Sequence, residues 1–237
     1  MRRALASIPV VLAAATAAGH IWSPVGPDLF PALCGAISSS NPRIAVVAVA
    51  KGATATLYLT TDRGSTWARA TNRLTFRPLA ISFQPGSDSV LYAAGGGVFK
   101  STDRGQAWSP LATRDGTFWL NLTTDSNEVW VSGYSDASAH GRASVALSTD
   151  EGTNWTLFLC DTTLRSSAHS IAPDPAHDSI LYCGGSIAGK AVVYKSTDRG
   201  STWTTHVLPS SMSDSIGPCS PPPHEIPGLG PGAIRVR

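Results

Sequence analysis

The sequence predicts an all-β protein assembled from repeated four-stranded antiparallel sheets. Three observations lead to this prediction. An octet recurs four times, short apolar runs alternate with Gly, Pro, Asp and Ser clusters, and charged residues are 14% of the chain against 42% hydrophobic. Average soluble domains carry about 25% charged residues, so this surface relies on Ser, Thr, Asn and Gly, as in turn-rich β proteins.

The octet has the pattern Ser/Thr-Thr-Asp-x-Gly-x-x-Trp. Its copies are TTDRGSTW at 60–67, STDRGQAW at 101–108, STDEGTNW at 148–155 and STDRGSTW at 196–203. The four aspartates are 41, 47 and 48 residues apart, and one propeller blade takes roughly 40–50 residues. The spacing therefore predicts a β-propeller with one octet in each blade.

Each octet is expected to form a tight turn between the third and fourth strands of its blade. The Asp carboxylate accepts backbone N–H groups, Gly takes a positive φ, and Trp begins the next strand and buries its ring. These side chains are therefore expected to be structural: Asp62, Gly64, Trp67, Asp103, Gly105, Trp108, Asp150, Gly152, Trp155, Asp198, Gly200 and Trp203.

Alternating apolar runs upstream of each octet predict the remaining strands. They lie at 33–38, 44–50 and 56–60, then at 79–83 and 90–94, then at 118–123 and 128–133, and finally at 170–172, 180–183 and 192–196.

The octet resembles the Asp-box, or BNR, repeat S/T-x-D-x-G-x-S/T-W, and the resemblance covers the chain from about Leu33 to Leu208. That repeat occurs in sialidases, xyloglucanases, sortilin-like propellers and photosystem II assembly factors. The resemblance implies a fold and not one activity. Sialidase chemistry uses an arginine triad, a Tyr helped by Glu, and an Asp acid/base, but Glu128, Glu151 and Glu225 lie away from the expected ligand-binding end. We therefore assign no catalytic residue to this chain from the resemblance.

The two ends of the chain predict export and an additional strand. Residues 1–18 combine Arg2 and Arg3 with a short apolar run that ends in small residues, which is typical of a signal peptide and too short for a membrane span. Blades are expected over 19–208, a Pro/Gly/Ser-rich linker over 209–231, and the first strand of a further blade at 232–237. We expect a secreted or periplasmic protein with four to five blades, either as a small ring or as part of a longer, incomplete propeller.

Strand parity places a ligand at the end of the blades opposite the octets, where loops joining the second to the third strand and one blade to the next converge. The expected binding residues there are Tyr134, Asp136, His140, Arg142, Arg114, Asp115, Arg165 and Lys190. The 134–142 segment is expected to be the longest of these loops.

Two functions from different classes remain open. The sequence favours a non-catalytic module that binds glycan or an extracellular protein, and a sialidase-like or xyloglucanase-like glycoside hydrolase is the alternative. No cofactor or metal is expected, because the six His and four Cys show no ligand spacing. A net charge of +2 without basic blocks argues against nucleic acid. Cys34, Cys160, Cys183 and Cys219 allow three disulfide pairings, and the sequence does not choose among them.

Overall fold

A computed structural model describes residues 32–70, 74–113, 117–125, 127–135 and 141–209. In this part of the chain sixteen strands form four sheets, and each sheet contains four antiparallel strands in sequence order. The predicted all-β blade architecture is therefore confirmed. The expected signal peptide and the strand at 232–237 lie outside the described residues, as does the expected linker apart from Pro209.

The four blades follow one another along the chain. Blade 1 contains β1 (Ala32–Ile37), β2 (Ala45–Lys51), β3 (Thr54–Thr60) and β4 (Ala68–Arg69). Blade 2 contains β5 (Ala80–Phe83), β6 (Leu91–Ala94), β7 (Val98–Ser101) and β8 (Ser109–Leu111). Blade 3 contains β9 (Thr117–Asp125), β10 (Glu128–Ser135), β11 (Arg142–Ser148) and β12 (Thr156–Leu159). Blade 4 contains β13 (Ser166–Asp174), β14 (His177–Ile187), β15 (Lys190–Ser196) and β16 (Thr204–Val207).

The blades are held together by apolar side chains on both faces of each inner sheet. In β10, Val129 and Val131 pack towards blade 2, whereas Trp130 between them packs towards blade 4. Successive side chains of a strand point to opposite faces, so a strand buried on both faces reads as a continuous apolar run. Burying a large side chain of this kind contributes about 1.5–3 kcal/mol, and the first strands of neighbouring blades pack side by side along the series.

Each octet forms the predicted hairpin, closed by a repeated set of hydrogen bonds. The Asp carboxylate accepts the backbone N–H four residues later at 2.8–2.9 Å. The first hydroxyl of the octet donates to the same carboxylate at 2.8 Å and accepts the Gly N–H at 2.7–2.9 Å. These hydroxyls belong to the buried residues Thr60, Ser101, Ser148 and Ser196. Their role in closing the hairpin was not predicted from the sequence.

Two consecutive residues of each octet have positive φ. The Gly residues have φ between 84° and 93°, and the residues before them, Arg63, Arg104, Glu151 and Arg199, have φ between 58° and 64°. The expected burial of the Trp rings is met in part: Trp108, Trp155 and Trp203 pack against the core clusters, but all four octet Trp residues are half-buried and not fully buried. The reason is their position at the rim of the outermost strand, where three of the four indole N–H groups donate to the octet Gly carbonyl at 2.9–3.0 Å.

The octet glycines also fit against the preceding blade. A Cβ at Gly105 would collide with Leu57 of blade 1, one at Gly152 with Leu111 of blade 2, and one at Gly200 would lie 3.3 Å from Phe158 of blade 3. Positive φ therefore favours Gly in each of these hairpins, and close packing between blades also requires it at Gly105 and Gly152.

The four described blades form an open arc. Val46, Tyr92 and Trp130 occupy one register position and are at most 1% exposed, because the following blade covers them. Tyr182 holds the same position in blade 4 and is 40% exposed. Within the described residues, β13 does not pack on β1 as β1 packs on β5.

Candidate ligand-binding site

The blades have two chemically different ends. The octets and the turns between first and second strands form what we call the hairpin end, and the remaining connections form the loop end. Arg142, Arg165 and Lys190 lie at the loop end of blades 3 and 4, as predicted from strand parity. Arg142 and Lys190 are the first residues of β11 and β15 and are not loop residues as expected.

Backbone hydrogen bonds connect the segments that carry these three cations. The Arg165 carbonyl accepts the Ala188 N–H at 3.0 Å, just before Lys190. Next to it, the Ser166 N–H donates to the Gly141 carbonyl at 3.0 Å, and the Ser166 Oγ accepts the Ala143 N–H at 2.8 Å. The first residues of β11, β13 and β15 are therefore brought together by main-chain bonds, although they are distant in sequence.

The three cations are exposed, and no ion pair between them and a carboxylate is found among the described residues. Two carboxylates form ion pairs at the hairpin end, Glu151 with Lys100 at 2.8 Å and Glu128 with Arg199. At the loop end, Asp161 accepts the Thr163 N–H at 2.6 Å and the Thr205 hydroxyl at 3.4 Å. Among the described residues, the loop end of blades 3 and 4 thus carries three cations and one carboxylate, and such an excess of positive charge gives a positive potential that attracts anions.

A hydroxyl and imidazole cluster lies beside the cations on the first strand of blade 4. The Ser167 Oγ is 2.9 Å from His169 Nε2 and 2.9 Å from the Ser186 Oγ. Burial lowers the pKa of His169, so the imidazole is neutral at pH 7 and can accept or donate one hydrogen bond. Activating a serine needs a third group that orients the histidine. No such carboxylate bonds to His169 in the part of the chain that the structure describes.

Tyr134 is held by packing. Its ring stacks on Phe118 with centroids 5.5 Å apart and an angle of 18° between the planes. A Cβ at Gly141 would lie 2.8 Å from the Tyr134 ring. Phe118 and Gly141 both lie against the Tyr134 ring, so its role in this arrangement is to support the start of β11.

The other four predicted binding residues, Arg114, Asp115, Asp136 and His140, lie outside the described residues. The expected loop at 134–142 is shorter in the structure, because Tyr134 and Ser135 extend β10 and Arg142 begins β11.

The structure also shows an acidic groove at the hairpin end, between blades 3 and 4, which the sequence analysis missed. Its volume is about 400 Å³, and its charged lining is Asp125, Glu128, Asp174, Asp178 and Arg199. The acidic residues of the groove are visible in the turn sequences TDSNE and PDPAHD, but nothing in these sequences shows that the two turns are neighbours.

Two carboxylates of the acidic groove, Asp174 and Glu128, are engaged by neighbouring groups. The Ala176 N–H and the His177 side chain lower the pKa of Asp174, whereas a glycosidase acid needs a raised pKa. Trp130 Nε1 donates to Glu128 at 3.2 Å, in addition to the Arg199 ion pair.

Within the described ranges, no group of three or more His, Cys, Asp or Glu side chains is placed to hold a metal ion. The same residues include no helix long and apolar enough to span a membrane.

The arrangement of antiparallel four-stranded blades defines a β-propeller protein. No family profile and no curated protein sequence matches the chain. Among solved structures, it is similar to an ancestral GH74 enzyme, with a TM-score of 0.62 and 19% identity over 78% of this chain and 25% of that one. It is also similar to the GH74 enzyme of Niastella koreensis, with a TM-score of 0.55 and 20% identity over 73% of this chain and 30% of that one.

A third similar structure is YCF48 from Cyanidioschyzon merolae, with a TM-score of 0.56 and 17% identity over 78% of this chain and 59% of that one. The chain thus spans less than a third of the two GH74 enzymes and somewhat over half of YCF48. At these identities the similarity shows the fold alone, and it includes both glycoside hydrolases and another kind of propeller protein.

Proposed function

We propose that this protein is an exported, non-catalytic propeller module that binds a negatively charged glycan or protein segment at its loop end. The observation that carries the proposal is the convergence of Arg142, Arg165 and Lys190, which lack a described carboxylate partner and are connected by main-chain bonds. The signal-peptide pattern at 1–18 supports export, and the likeness of the octets to the Asp-box repeat supports a propeller module.

The chemistry of the loop end favours recognition of carboxylate, sulfate or phosphate groups. Arginine guanidinium groups can bind such oxyanions through two parallel hydrogen bonds, and Lys adds a point charge. The Ser167 and Ser186 hydroxyls with His169 supply neutral hydrogen-bonding groups beside the charges. The backbone bonds limit movement of these segments, so the entropy cost of binding falls on the exposed side chains and not on the main chain.

Glycoside hydrolysis is the second candidate, and the fold similarity to GH74 enzymes favours it. It requires two carboxylates about 5–10 Å apart around a sugar bond. Asp161 is a carboxylate at the described loop end of blades 3 and 4, and it already accepts hydrogen bonds from Thr163 and Thr205.

The test compares binding of four probes to the purified protein: a sulfated oligosaccharide, a sialylated oligosaccharide, an oligoglutamate peptide and a neutral xyloglucan oligosaccharide. We expect the anionic probes to bind and to weaken as salt increases, because salt screens exposed charges. Replacing Arg142, Arg165 and Lys190 together by Gln should weaken binding about 10-fold to 100-fold, from three contacts of about 0.5–1 kcal/mol each.

The matched control removes the same charge from blade 1. Arg43, Arg63 and Arg69 are exposed, so their triple Gln variant tests whether net charge alone matters, and it should bind nearly normally. Equal loss in both triple variants would contradict a site at the loop end. Release of reducing sugar from xyloglucan or of sialic acid from the sialylated probe would favour the hydrolase instead.

A further inference from the structure

Cys160 and Cys183 meet at the interface between blades 3 and 4. Cys160 follows β12 and is held by its N–H bond to the Ala143 carbonyl at 2.9 Å, whereas Cys183 lies in the middle of β14. Both side chains belong to one apolar cluster, at 5% and 1% exposure. Two thiols from different blades therefore share one sealed environment.

The two side chains are neighbours in this cluster. The Cys183 thiol raises the pKa of Cys160 and donates to the Ser170 carbonyl at 2.7 Å. A disulfide needs the two Cβ atoms about 3.5–4.5 Å apart, and only neighbouring side chains such as these two can meet this requirement.

Cys34 belongs to a different environment. It packs in the interface between blades 1 and 2 and donates to the Pro78 carbonyl at 3.8 Å. It cannot reach Cys160 or Cys183 without separating the blades. Cys219 lies outside the described residues.

We propose that Cys160 and Cys183 form a disulfide that links blade 3 to blade 4 when the chain folds in an oxidising compartment. The oxidant is a small-molecule or protein disulfide. One cysteine thiolate attacks it to form a mixed disulfide and releases one thiol. The second cysteine thiolate then attacks the protein-bound sulfur and releases the other thiol. Both cysteines lose a proton and together two electrons, which reduce the oxidant to two thiols.

The bond forms most readily as blade 4 docks on blade 3, when packing brings the two cysteines together while their thiols still meet solvent. The thiolate is the reactive species, and the Cys183 contact together with burial raises the pKa of Cys160 in the folded chain. Folding of the reduced chain thus seals the thiols in an unreactive state. The same burial protects the disulfide, once formed, from reducing agents.

To test this proposal, the full chain is refolded from denaturant in either a glutathione redox buffer or a reducing agent. Trypsin separates the two cysteines, because cleavage after Arg142, Arg165 and Lys190 yields peptides 143–165 and 166–190 with one Cys each. After oxidative refolding we expect these peptides to be linked and two hydrogen atoms lighter than their sum, with Cys34 still free for alkylation. Recovery of both peptides singly alkylated, or linked to Cys34 or Cys219, would overturn the proposal.

Thermal unfolding supplies a second readout. The disulfide closes a loop of roughly two dozen residues, for which a rise of about 5–10 °C in melting temperature over the reduced protein is expected. This difference should vanish in Cys183→Ser and persist in the matched control Cys34→Ser. A difference that survives in Cys183→Ser would refute the pairing. The wild-type peptide map decides the question even where Cys183→Ser does not fold.

Discussion

Replacing Gly105 by Ala should destabilise the protein through two separate effects. The first is backbone strain, because Gly105 has φ of 84° and an L-residue in that region costs about 1–2 kcal/mol. The second is a collision, since the new Cβ would lie inside the van der Waals radius of the Leu57 side chain. Leu57 is 0% exposed, so it has no solvent to move into.

Overpacking of a filled core costs about 1–3 kcal/mol, so the two effects together predict a loss of about 2–5 kcal/mol. Gly52→Ala is the matched control. Gly52 also has positive φ, at 63°, but a Cβ there would meet nothing within 4 Å. Its replacement should therefore cost only the strain, about 1–2 kcal/mol.

The assay is urea unfolding followed by tryptophan fluorescence, with the free energy of unfolding compared at equal m-value. Leu57→Ala completes a double-mutant cycle with Gly105→Ala. The added methyl should occupy part of the space that Leu57 leaves. The double mutant should therefore lose about 1–3 kcal/mol less than the sum of the two single losses. Equal costs for Gly105→Ala and Gly52→Ala, with additive losses in the cycle, would refute the argument that close packing between blades requires Gly105.

Two further predictions concern the octet hairpins. Ser148→Ala should cost about 1–3 kcal/mol, because it leaves the buried Gly152 N–H without its acceptor. The exposed Ser65→Ala should stay within about 0.5 kcal/mol, and equal losses in urea unfolding would contradict the role of Ser148. Hydrogen bonds from Thr66 and Thr60 lower the pKa of Asp62 from 3.8 to about 2, so its stabilisation is complete above about pH 4 and is lost as pH falls towards 2. Asp62→Asn should reduce the fall in melting temperature between about pH 4 and pH 2. A fall equal to that of the wild-type protein would exclude the effect.

The octet hairpins and the four-stranded blades that carry them were predictable because their information is local. Asp62 accepts bonds from Thr60 and Thr66 within one octet, so eight residues suffice to specify the turn. The apolar run of β10 and the 41-residue spacing of the first two octets likewise follow from strand and blade periodicity. The position of Arg142, Arg165 and Lys190 at one end followed from strand parity alone.

Relations between blades needed the tertiary structure. The sequence left three pairings open for four cysteines, whereas packing of blade 4 on blade 3 brings Cys160 to Cys183. The same packing creates the acidic groove and decides that Leu57 lies against Gly105. The sequence by itself determined the octet turns and the approximate positions of the strands around them, since those bonds join near neighbours. Tertiary structure decided which side chains of separate blades meet, because that depends on how each sheet is rotated and packed against the next.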